Sequence, residues 1–259
     1  MVKQTKKLST KTTVAQINAT DKFPITDANG VVSLVTLATI KAAIMDGASL
    51  NAMYDGVFIM YHRKSDDYPL MVKPHKWTSI QSSGEIADGV VVVEGGKCLV
   101  VAPTESASKL TWSSAAISGG GTTTSDRVTA INDWNGKTNT AQQIAHSTSS
   151  AVTNTASYAP GFCNLYSRAN ANGKGLTAGK WWLPSLGEMM MIYANMTKIN
   201  YALSLINGAT QLVEDAYWTS TEGSATHAWS LYLYDGPATY GRTKASNTTR
   251  VRAVSAFIA

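Results

Sequence analysis

The most regular alternation of apolar and polar residues lies in the stretch AWSLYLYDG, Ala228 to Gly236. Because successive side chains of a strand point to opposite faces, one side of this stretch carries a tryptophan and two leucines. The other side carries Ser230, Tyr232 and Tyr234. The indole and the leucines indicate the core side, so the pattern predicts a strand that displays its tyrosines to solvent. The Asp235-Gly236 pair is turn-forming and predicts the end of the strand.

Shorter apolar runs dominate the region that follows Gly56. The segments GVFIMY, YPLMV, GVVVVEGG and KCLVVAP are strand-length and are separated by turn-forming residues, which predicts a β-rich region. The next segment, SSAAISGGGTTTSD, has three adjacent glycines but lacks the Lys-Ser/Thr pair of a phosphate-binding loop. It is therefore predicted to be a flexible connection.

Helical spacing of apolar residues begins near residue 125. Ser125 is the predicted N-cap of a helix in DRVTAINDWN, and Gly136 is its predicted stop. Shorter helices are predicted in TAQQIAH and SYAPGFCNLYSRA. The side chains predicted to pack these helices against the core are Val128, Ile131, Trp134, Phe162, Leu165 and Tyr166.

Two consecutive helices are predicted in the segment WWLPSLGEMMMIYANMTKINYALSLINGA. Ser185 and Glu188 have the spacing of a capping box for the first helix. Thr197 is the predicted N-cap of the second helix, which Gly208 ends. The residues predicted to lie in the core are Trp181, Trp182, Met189, Met190, Tyr193, Ile199, Leu203, Ile206, Trp218 and Trp229. Helices grouped between runs of antiparallel strands predict an α+β fold.

Residues 1–50 are predicted to form a separate unit. An extended segment around Phe23-Pro24-Ile25, an ANG turn, a strand VVSLV and a small helix starting near Thr36 or Thr39 are expected. The pattern KKLSTKTTVAQINATDKFPITDANGVVSLVTLATIKAAI resembles the N-terminal attachment segment of phage fibre and appendage proteins. Such a unit is too small to hold much core alone. The resemblance implies that it docks on other virion proteins.

Composition and charge narrow the class of protein. Of the 259 residues, 15% are charged, and Ser, Thr, Asn and Gly are abundant, which is typical of extracellular or virion surfaces. The net charge is +5, and part of the excess lies in an N-terminal arm that is predicted to be a solvated tail, so nucleic acid is not an expected partner. The opening lacks the apolar core of a secretory signal, and no apolar run reaches the ~18 residues of a membrane helix. A virion protein made in the host cytoplasm and released by lysis fits these features.

The two cysteines, Cys98 and Cys163, have two possible states. They could pair, but a chain without a leader is made in a reducing compartment, which favours free thiols.

Five segments occur in a recognisable order in the C-terminal half: INDWNGKTNT, WWLPSLGEM, AYWTSTE, HAWSLYLYDG and RVRAV. Together they resemble the C-type-lectin-like fold in its formylglycine-generating-enzyme branch, and more closely its bacterial and phage ligand-displaying proteins. Some of those relatives are variable proteins of diversity-generating retroelements. The resemblance spans about residues 126–259, within a β-rich and lectin-like unit of residues 51–259. It implies a rigid scaffold that presents its C-terminal segment as a binding face.

Tyrosine suits a recognition surface because it offers a large, stiff and amphipathic area at low entropic cost. The strand and its adjoining loops therefore predict a ligand-binding face. Its candidate residues are Ser224, Thr226, His227, Ser230, Tyr232, Tyr234, Asp235, Tyr240, Arg242 and Asn247. The alternative is that the two strand tyrosines pack under a neighbouring loop or a partner subunit.

Catalytic and metal chemistry find little support in the sequence. The enzyme branch of the fold depends on reactive cysteines in its C-terminal part, and no cysteine follows Cys163, so no enzyme is predicted. The four histidines are widely separated, and no calcium-binding lectin loop is present, so neither a metal nor a cofactor is expected. Glu222 is predicted to hold a turn or a backbone amide, and Arg250 and Arg252 are predicted to brace the last strand.

The sequence thus predicts a phage structural protein, in the head or in a tail fibre, whose lectin-like domain binds a host cell-surface protein or glycan. Multivalent binding favours a symmetric oligomer, with a trimer expected and a dimer possible. Three alternatives stay open: a purely architectural capsid or tail decoration, a bacterial surface adhesin, and a degraded enzyme.

Overall fold

A computed structural model describes residues 20, 22–26, 32–36, 55–147, 153–236, 238–246 and 248–257; within these, the side chains of residues 25, 26, 239 and 240 are left undescribed. The chain divides into two compact units, Met1–Met53 and Tyr54–Ala259. The unit boundary expected from the sequence lay after residue 50.

The first unit contains an antiparallel hairpin of β1 (Lys22–Thr26) and β2 (Val32–Thr36). Phe23 lies opposite Val35 in this hairpin. Both strands coincide with the predicted extended segments. Thr36 is the last residue of β2, and the predicted helix with Thr39 lies outside the described residues.

The second unit contains a five-stranded antiparallel sheet with the order β12-β6-β5-β3-β4. The strands are β3 (Gly56–His62), β4 (Pro69–Val72), β5 (Ala87–Glu94), β6 (Lys97–Val101) and β12 (Val254–Ser255). The central strand β5, ADGVVVVE, is buried at every position except its last. A continuous apolar run of this kind is typical of a strand that is covered on both faces.

A three-stranded antiparallel sheet has the order β11-β10-β9. Its strands are β9 (Ala216–Glu222), β10 (His227–Tyr232) and β11 (Ala238–Thr243). Trp229, Leu231 and Leu233 belong to the same hydrophobic core as Val90 and Val92 of β5, so one core serves both sheets. The short strands β7 (Arg168–Ala169) and β8 (Gly175–Leu176) form a separate pair.

Helices lie mainly between the two sheets in chain order. They are α1 (Pro74–Ser82), α2 (Arg127–Ile131), α3 (Gly136–His146), α4 (Ala159–Leu165), α5 (Leu186–Ala194) and α6 (Met196–Ser204). This mixture of helices with antiparallel sheets is the predicted α+β class.

Several helix ends differ from the prediction. Asp126, rather than Ser125, caps α2, because its carboxylate accepts the N–H of Thr129 at 2.7 Å. Gly136 begins α3 instead of stopping α2, since Asn132 already ends that helix. Asn195 directly joins α5 to α6, so Thr197 lies inside α6 and caps nothing. The helices follow one another with only a few residues between them, and apolar spacing alone does not show where one ends and the next begins.

Two predicted core residues are also exposed. Val128 on α2 is 64% exposed and Leu165 at the end of α4 is 50% exposed. Both helices are only one or two turns long, and α4 buries its small residues, Ala159, Pro160, Gly161 and Cys163, instead of Leu165.

The capping box of α5 is confirmed: the Ser185 side chain accepts the Glu188 N–H, and Glu188 accepts the Ser185 N–H at 2.8 Å. The four tryptophans predicted to lie in the core are buried. Ile199, Leu203 and Ile206 are buried as well. Cys98 and Cys163 are free thiols, as predicted.

Candidate ligand-binding surface

The outer face of the three-stranded sheet is covered near its middle. Ser230 is fully buried, which contradicts its predicted exposure. Trp218 of β9 lies directly opposite Ser230, and its indole N–H donates to the carbonyl of Leu110 at 2.9 Å. The backbone of Leu110 in turn pairs with that of Thr249. Two chain segments distant in sequence therefore form a second layer over this face, and Ser230 is withdrawn from the candidate surface.

Tyr232 is half-buried because an arginine crosses the sheet to reach it. Arg242 lies opposite Ala228 in the strand register, yet its guanidinium donates to the Tyr232 hydroxyl and lies 5.0 Å from the centre of the Tyr232 ring. The same guanidinium donates to Thr249 Oγ1 at 3.4 Å. Cation–π contact and hydrogen bonding together hold this tyrosine in place. Tyr232 thus acts partly as a structural residue.

Tyr234 is the exposed member of the predicted tyrosine pair, with 69% of its side chain accessible. It lies just beyond the end of β10 in a turn that we name the tyrosine turn, Leu233–Gly236, where Asp235 is exposed as well. The N–H of Leu233 donates to the carbonyl of Asp215 at 3.0 Å, and Leu233 itself is buried. Gly236 has a φ of +81°, which favours glycine. The turn is therefore held at Leu233 and closed at Gly236, whose N–H donates to the carbonyl of Tyr232 at 2.9 Å, while its two central side chains face solvent.

The serine, threonine and histidine of the predicted surface lie at the opposite end of β10. Thr226 Oγ1 is 2.8 Å from His227 Nδ1, and Ser224 Oγ accepts the N–H of His227 at 3.1 Å. These contacts close a local turn between β9 and β10. His227 and Tyr232 are five residue steps apart along an extended strand, which corresponds to roughly 17 Å. The two ends of the predicted surface are not brought together.

For two further residues of the predicted surface, the structure does not describe the side chain. Tyr240 belongs to β11 by its backbone, and its side chain is among those left undescribed. Asn247 lies outside the described residues.

A buried ion pair occupies the His227 end of the sheet. Glu222 Oε2 accepts the N–H of Gly119 at 2.8 Å and the ammonium of Lys244 at 2.5 Å. Both charged side chains have no exposed surface. Lys244 also donates to the carbonyl of Ile117 at 2.7 Å and lies 4.3 Å above the ring of Trp112. Burial lowers the pKa of Lys244, and the charge of Glu222 opposes that shift.

We refer to these residues, Trp112, Ile117, Gly119, Glu222 and Lys244, as the Glu222 network. The prediction that Glu222 holds a backbone amide is confirmed by its bond to Gly119. Lys244 and Trp112 were absent from the sequence-based candidates. Nothing in the spacing of Glu222 and Lys244 signals their pairing, because the contact depends on β9 and the end of β11 meeting in the fold.

The glycine-rich segment is a packed loop and not the flexible connection that its composition suggests. A Cβ atom on Gly119 would lie 2.5 Å from Gln143 Cγ and 2.6 Å from Glu222 Oε1. A Cβ atom on Gly121 would lie 3.0 Å from Asn139 Cβ. The glycines are needed because the backbone approaches buried side chains of α3 closely.

Beneath that loop lies a polar core built on Asp133. Its Oδ2 accepts from Asn139 Nδ2 at 2.9 Å and from the Thr221 hydroxyl at 2.7 Å. Gln143 Nε2 donates to the carbonyl of Ser220 at 2.7 Å. Asn139 and Gln143 are four residues apart on one face of α3, and this spacing is the sequence signal that could have identified them.

The predicted bracing by the C-terminal arginines is confirmed. Arg250 bridges Glu105 and Asp215, with Nε 3.1 Å from Asp215 Oδ2. Arg252 is fully buried and donates to the carbonyls of Ala102 and Thr210 at 3.0 Å each. These bonds tie the end of the chain to the segment before β9, which carries the anchor of the tyrosine turn.

Several other titratable side chains are buried or half-buried and form hydrogen bonds within the fold. His62 Nδ1 lies 2.7 Å from Asp88 Oδ2. Burial raises the pKa of the Glu188 carboxyl to about 7, and the hydrogen bonds from Ser185 and Trp182 oppose that shift. Burial also raises the pKa values of the thiols of Cys98 and Cys163, which keeps them protonated at neutral pH.

Within the described ranges, no three His, Cys, Asp or Glu side chains cluster closely enough to hold a metal ion. Of the helices in those ranges, none has the length and apolarity to span a membrane.

Comparison with known proteins gives one distant similarity. No protein-family model matches the chain, and no curated protein matches it. Among solved structures, the chain is similar to a fimbrial protein from Bacteroides ovatus, with 16% sequence identity and a TM-score of 0.41. The similarity covers 61% of this chain and only 35% of the fimbrial protein. A similarity of this strength carries no conclusion about the role of the chain.

Proposed function

We propose that the chain is a structural protein of a phage virion, in the head or in a tail fibre, and that its second unit binds a receptor or glycan on the host surface. The observation that carries the proposal is the tyrosine turn. Tyr234 and Asp235 are exposed between two anchored ends, on a sheet whose other end is locked by the buried Glu222–Lys244 pair.

A rigid support makes such a turn effective in recognition. Binding costs less entropy when the contact residues are already held in place. A tyrosine contributes a large amphipathic area with only two side-chain torsions to restrict. Asp235 adds an acceptor that can bind hydroxyl or amide donors of a ligand.

The resemblance to C-type-lectin-like ligand-displaying proteins supports the same role. Three of its five segments correspond to α5 with its capping box, to β9, and to β10 with the tyrosine turn. In that family the scaffold is rigid and the C-terminal segment carries the ligand contacts. We propose that residues 126–259 form such a domain.

The hairpin of the first unit supports the attachment role. Val32 and Leu34 of β2 are 62% and 67% exposed, and apolar side chains of this kind fit a docking segment better than a free surface. Attachment to other virion proteins through residues 1–50 would place several copies on one particle. Weak single contacts then combine into firm attachment, so we propose a homotrimer, with a dimer as the alternative.

Whole-cell binding by the full chain tests the proposal. The labelled protein is incubated with a panel of bacterial strains, and the double variant Tyr234→Ala/Asp235→Ala is compared with Val128→Ala, an equally exposed position on α2. The expected result is strain-selective binding that the double variant loses and Val128→Ala keeps.

Two results would contradict the proposal. Absence of binding to every strain, together with a tyrosine turn covered by a neighbouring subunit in the assembled particle, indicates an architectural decoration. Binding that the double variant retains in full removes the tyrosine turn from the recognition surface.

A further inference from the structure

We infer that an open cleft beside the tyrosine turn binds a pyranose ring of a host-surface glycan. This inference rests on the proposed function and makes it more specific. It names a second group of contact residues, which the sequence did not indicate, and it names the chemical class of the ligand.

The cleft lies between the two consecutive helices α5 and α6 and the segment that precedes β9. Its volume is about 670 Å³, which is within the range of roughly 300–1,000 Å³ that small-molecule sites occupy. Its lining includes the side chains of Tyr193, Thr197, Asn200, Tyr201, Gln211 and Glu214. We name this feature the Tyr201 cleft.

Hydrogen bonds fix the walls of the Tyr201 cleft. Asn200 Nδ2 donates to the carbonyl of Leu212 at 2.8 Å, and Asn200 Oδ1 accepts the N–H of Leu212 at 2.7 Å. Gln211 Nε2 donates to the carbonyl of Asn200 at 3.1 Å. Leu212 is also buried, so Gln211 and Leu212 are held against α6. The cleft is therefore formed before a ligand arrives.

Two tyrosines and one carboxylate supply its binding groups. Tyr201 is 54% exposed, and Tyr193 is half-buried on the preceding helix. Glu214 is exposed at the rim. Thr197 lies four residues before Tyr201 on the same face of α6, and both residues line the cleft.

Backbone contacts make the cleft continuous with the tyrosine turn. A Cβ atom on Gly236 would lie 2.8 Å from Tyr193 Cε1, so the end of the turn packs against one wall of the cleft. Leu233 donates to Asp215, the residue after Glu214. Tyr201 of the cleft and Tyr234 of the turn are both among the large apolar side chains that are exposed in the described part of the chain. The two features form a single surface.

The lining chemistry selects a neutral sugar. A pyranose has an apolar C–H face that packs on an aromatic ring and an edge of hydroxyls that donate to carboxylates and accept from amides. The lining residues include one carboxylate and neither lysine nor arginine. Phosphate and acidic ligands need basic partners, so they are disfavoured here.

A glycan array probed with the full chain, followed by cell binding, tests the inference. The variants are Tyr201→Ala and Glu214→Gln, with Tyr234→Ala for the adjoining turn and Leu165→Ala as a matched control on an exposed residue of α4. We expect neutral glycans to bind the wild-type chain, and Tyr201→Ala to weaken that binding by roughly tenfold or more. Glu214→Gln is expected to weaken it to a smaller degree, and Leu165→Ala to leave it unchanged.

Failure of the inference is distinguishable from failure of the proposed function. Loss of binding in Tyr234→Ala with full binding in Tyr201→Ala and Glu214→Gln overturns the cleft assignment and leaves the proposed function standing. Cell binding that survives periodate oxidation of the cell-surface sugars but is lost after protease treatment overturns the sugar ligand alone. Absence of binding to every glycan and every cell overturns both.

Discussion

The two ends of the three-stranded sheet carry polar residues that serve opposite purposes. At the His227 end, Glu222 and Lys244 are fully buried and satisfy each other, a backbone amide and a carbonyl. At the other end, Tyr234 and Asp235 are exposed, and the N–H of the preceding residue, Leu233, donates to the carbonyl of Asp215. The charged groups of the first end are thus consumed by contacts within the protein, whereas Tyr234 and Asp235 at the other end face solvent. We interpret the first end as the frame and the second as the recognition surface.

The predicted surface is divided because its residues lie at both of these ends. Ser224, Thr226 and His227 bond to one another and close the turn of the frame. Arg242 spans the two ends, since it starts opposite Ala228 and reaches Tyr232. Its Nε has no hydrogen-bond partner in the part of the chain that the structure describes, although it is buried. Arg242 is therefore held by its contact with the Tyr232 ring and by the bonds to Tyr232 and Thr249, without a complete set of hydrogen bonds.

The largest effect is expected from breaking the ion pair of the frame. Lys244→Met leaves the Glu222 carboxylate buried without its cation, which costs about 3–5 kcal/mol of the free energy of unfolding. Urea denaturation monitored by tryptophan fluorescence measures the change. The double variant Glu222→Gln/Lys244→Met removes the stranded charge and should recover part of the loss. A Lys244→Met variant within about 0.5 kcal/mol of the wild type, the range of ordinary surface changes, would contradict the structural role of the network.

Glu188 is a buried carboxylate that forms no ion pair within the part of the chain that the structure describes, in contrast to Glu222. Its folded-state pKa of about 7 is higher than the ordinary value of 4.5, because burial disfavours the charged form. Its stabilising contribution is therefore complete below pH 4.5 and is lost as the pH rises through 7. The loss is on the order of 3 kcal/mol.

Glu188→Gln should remove that loss, since glutamine can accept the same N–H bonds without carrying charge. The variant is expected to match the wild type at pH 4.5 and to exceed its stability at pH 8, as measured by denaturation at both pH values. Glu214→Gln, at an exposed position, should keep the wild-type pH dependence. Identical pH profiles for Glu188→Gln and the wild type would show that this carboxyl titrates normally.

A smaller effect is expected from the glycine-rich loop. Gly119→Ala forces a methyl group against Gln143 and Glu222, and overpacking of this kind costs roughly 1–3 kcal/mol. Ser118→Ala, at the exposed neighbouring position, should stay within about 0.5 kcal/mol of the wild type. Equal midpoints of thermal unfolding for the two variants would restore the interpretation of this loop as a flexible connection.

The sequence predicted those features that depend on neighbours along the chain. Alternation assigned Trp229, Leu231 and Leu233 to the core because strand geometry is local. The Ser185–Glu188 capping box is likewise a contact over three residues. Alternation distinguishes two faces of a strand but does not reveal what lies on the second face.

The remaining features depend on contacts between distant segments. Ser230 is buried because the chain around Leu110 and Thr249 crosses over it, and each of these segments joins β10 only in the folded state. The pairing of Gly119 with Glu222 and the walls of the Tyr201 cleft arise in the same way. A single sequence carries no local signal for such contacts.

The most direct test of the recognition surface combines stability and binding in one variant. Tyr234→Ala removes a side chain that is 69% exposed, so its free energy of unfolding should stay within about 0.5 kcal/mol of the wild type. Affinity for a bound cell or glycan, measured on the same preparation, should fall by roughly tenfold or more. Unchanged stability with unchanged affinity would contradict the assignment of the tyrosine turn as the recognition surface.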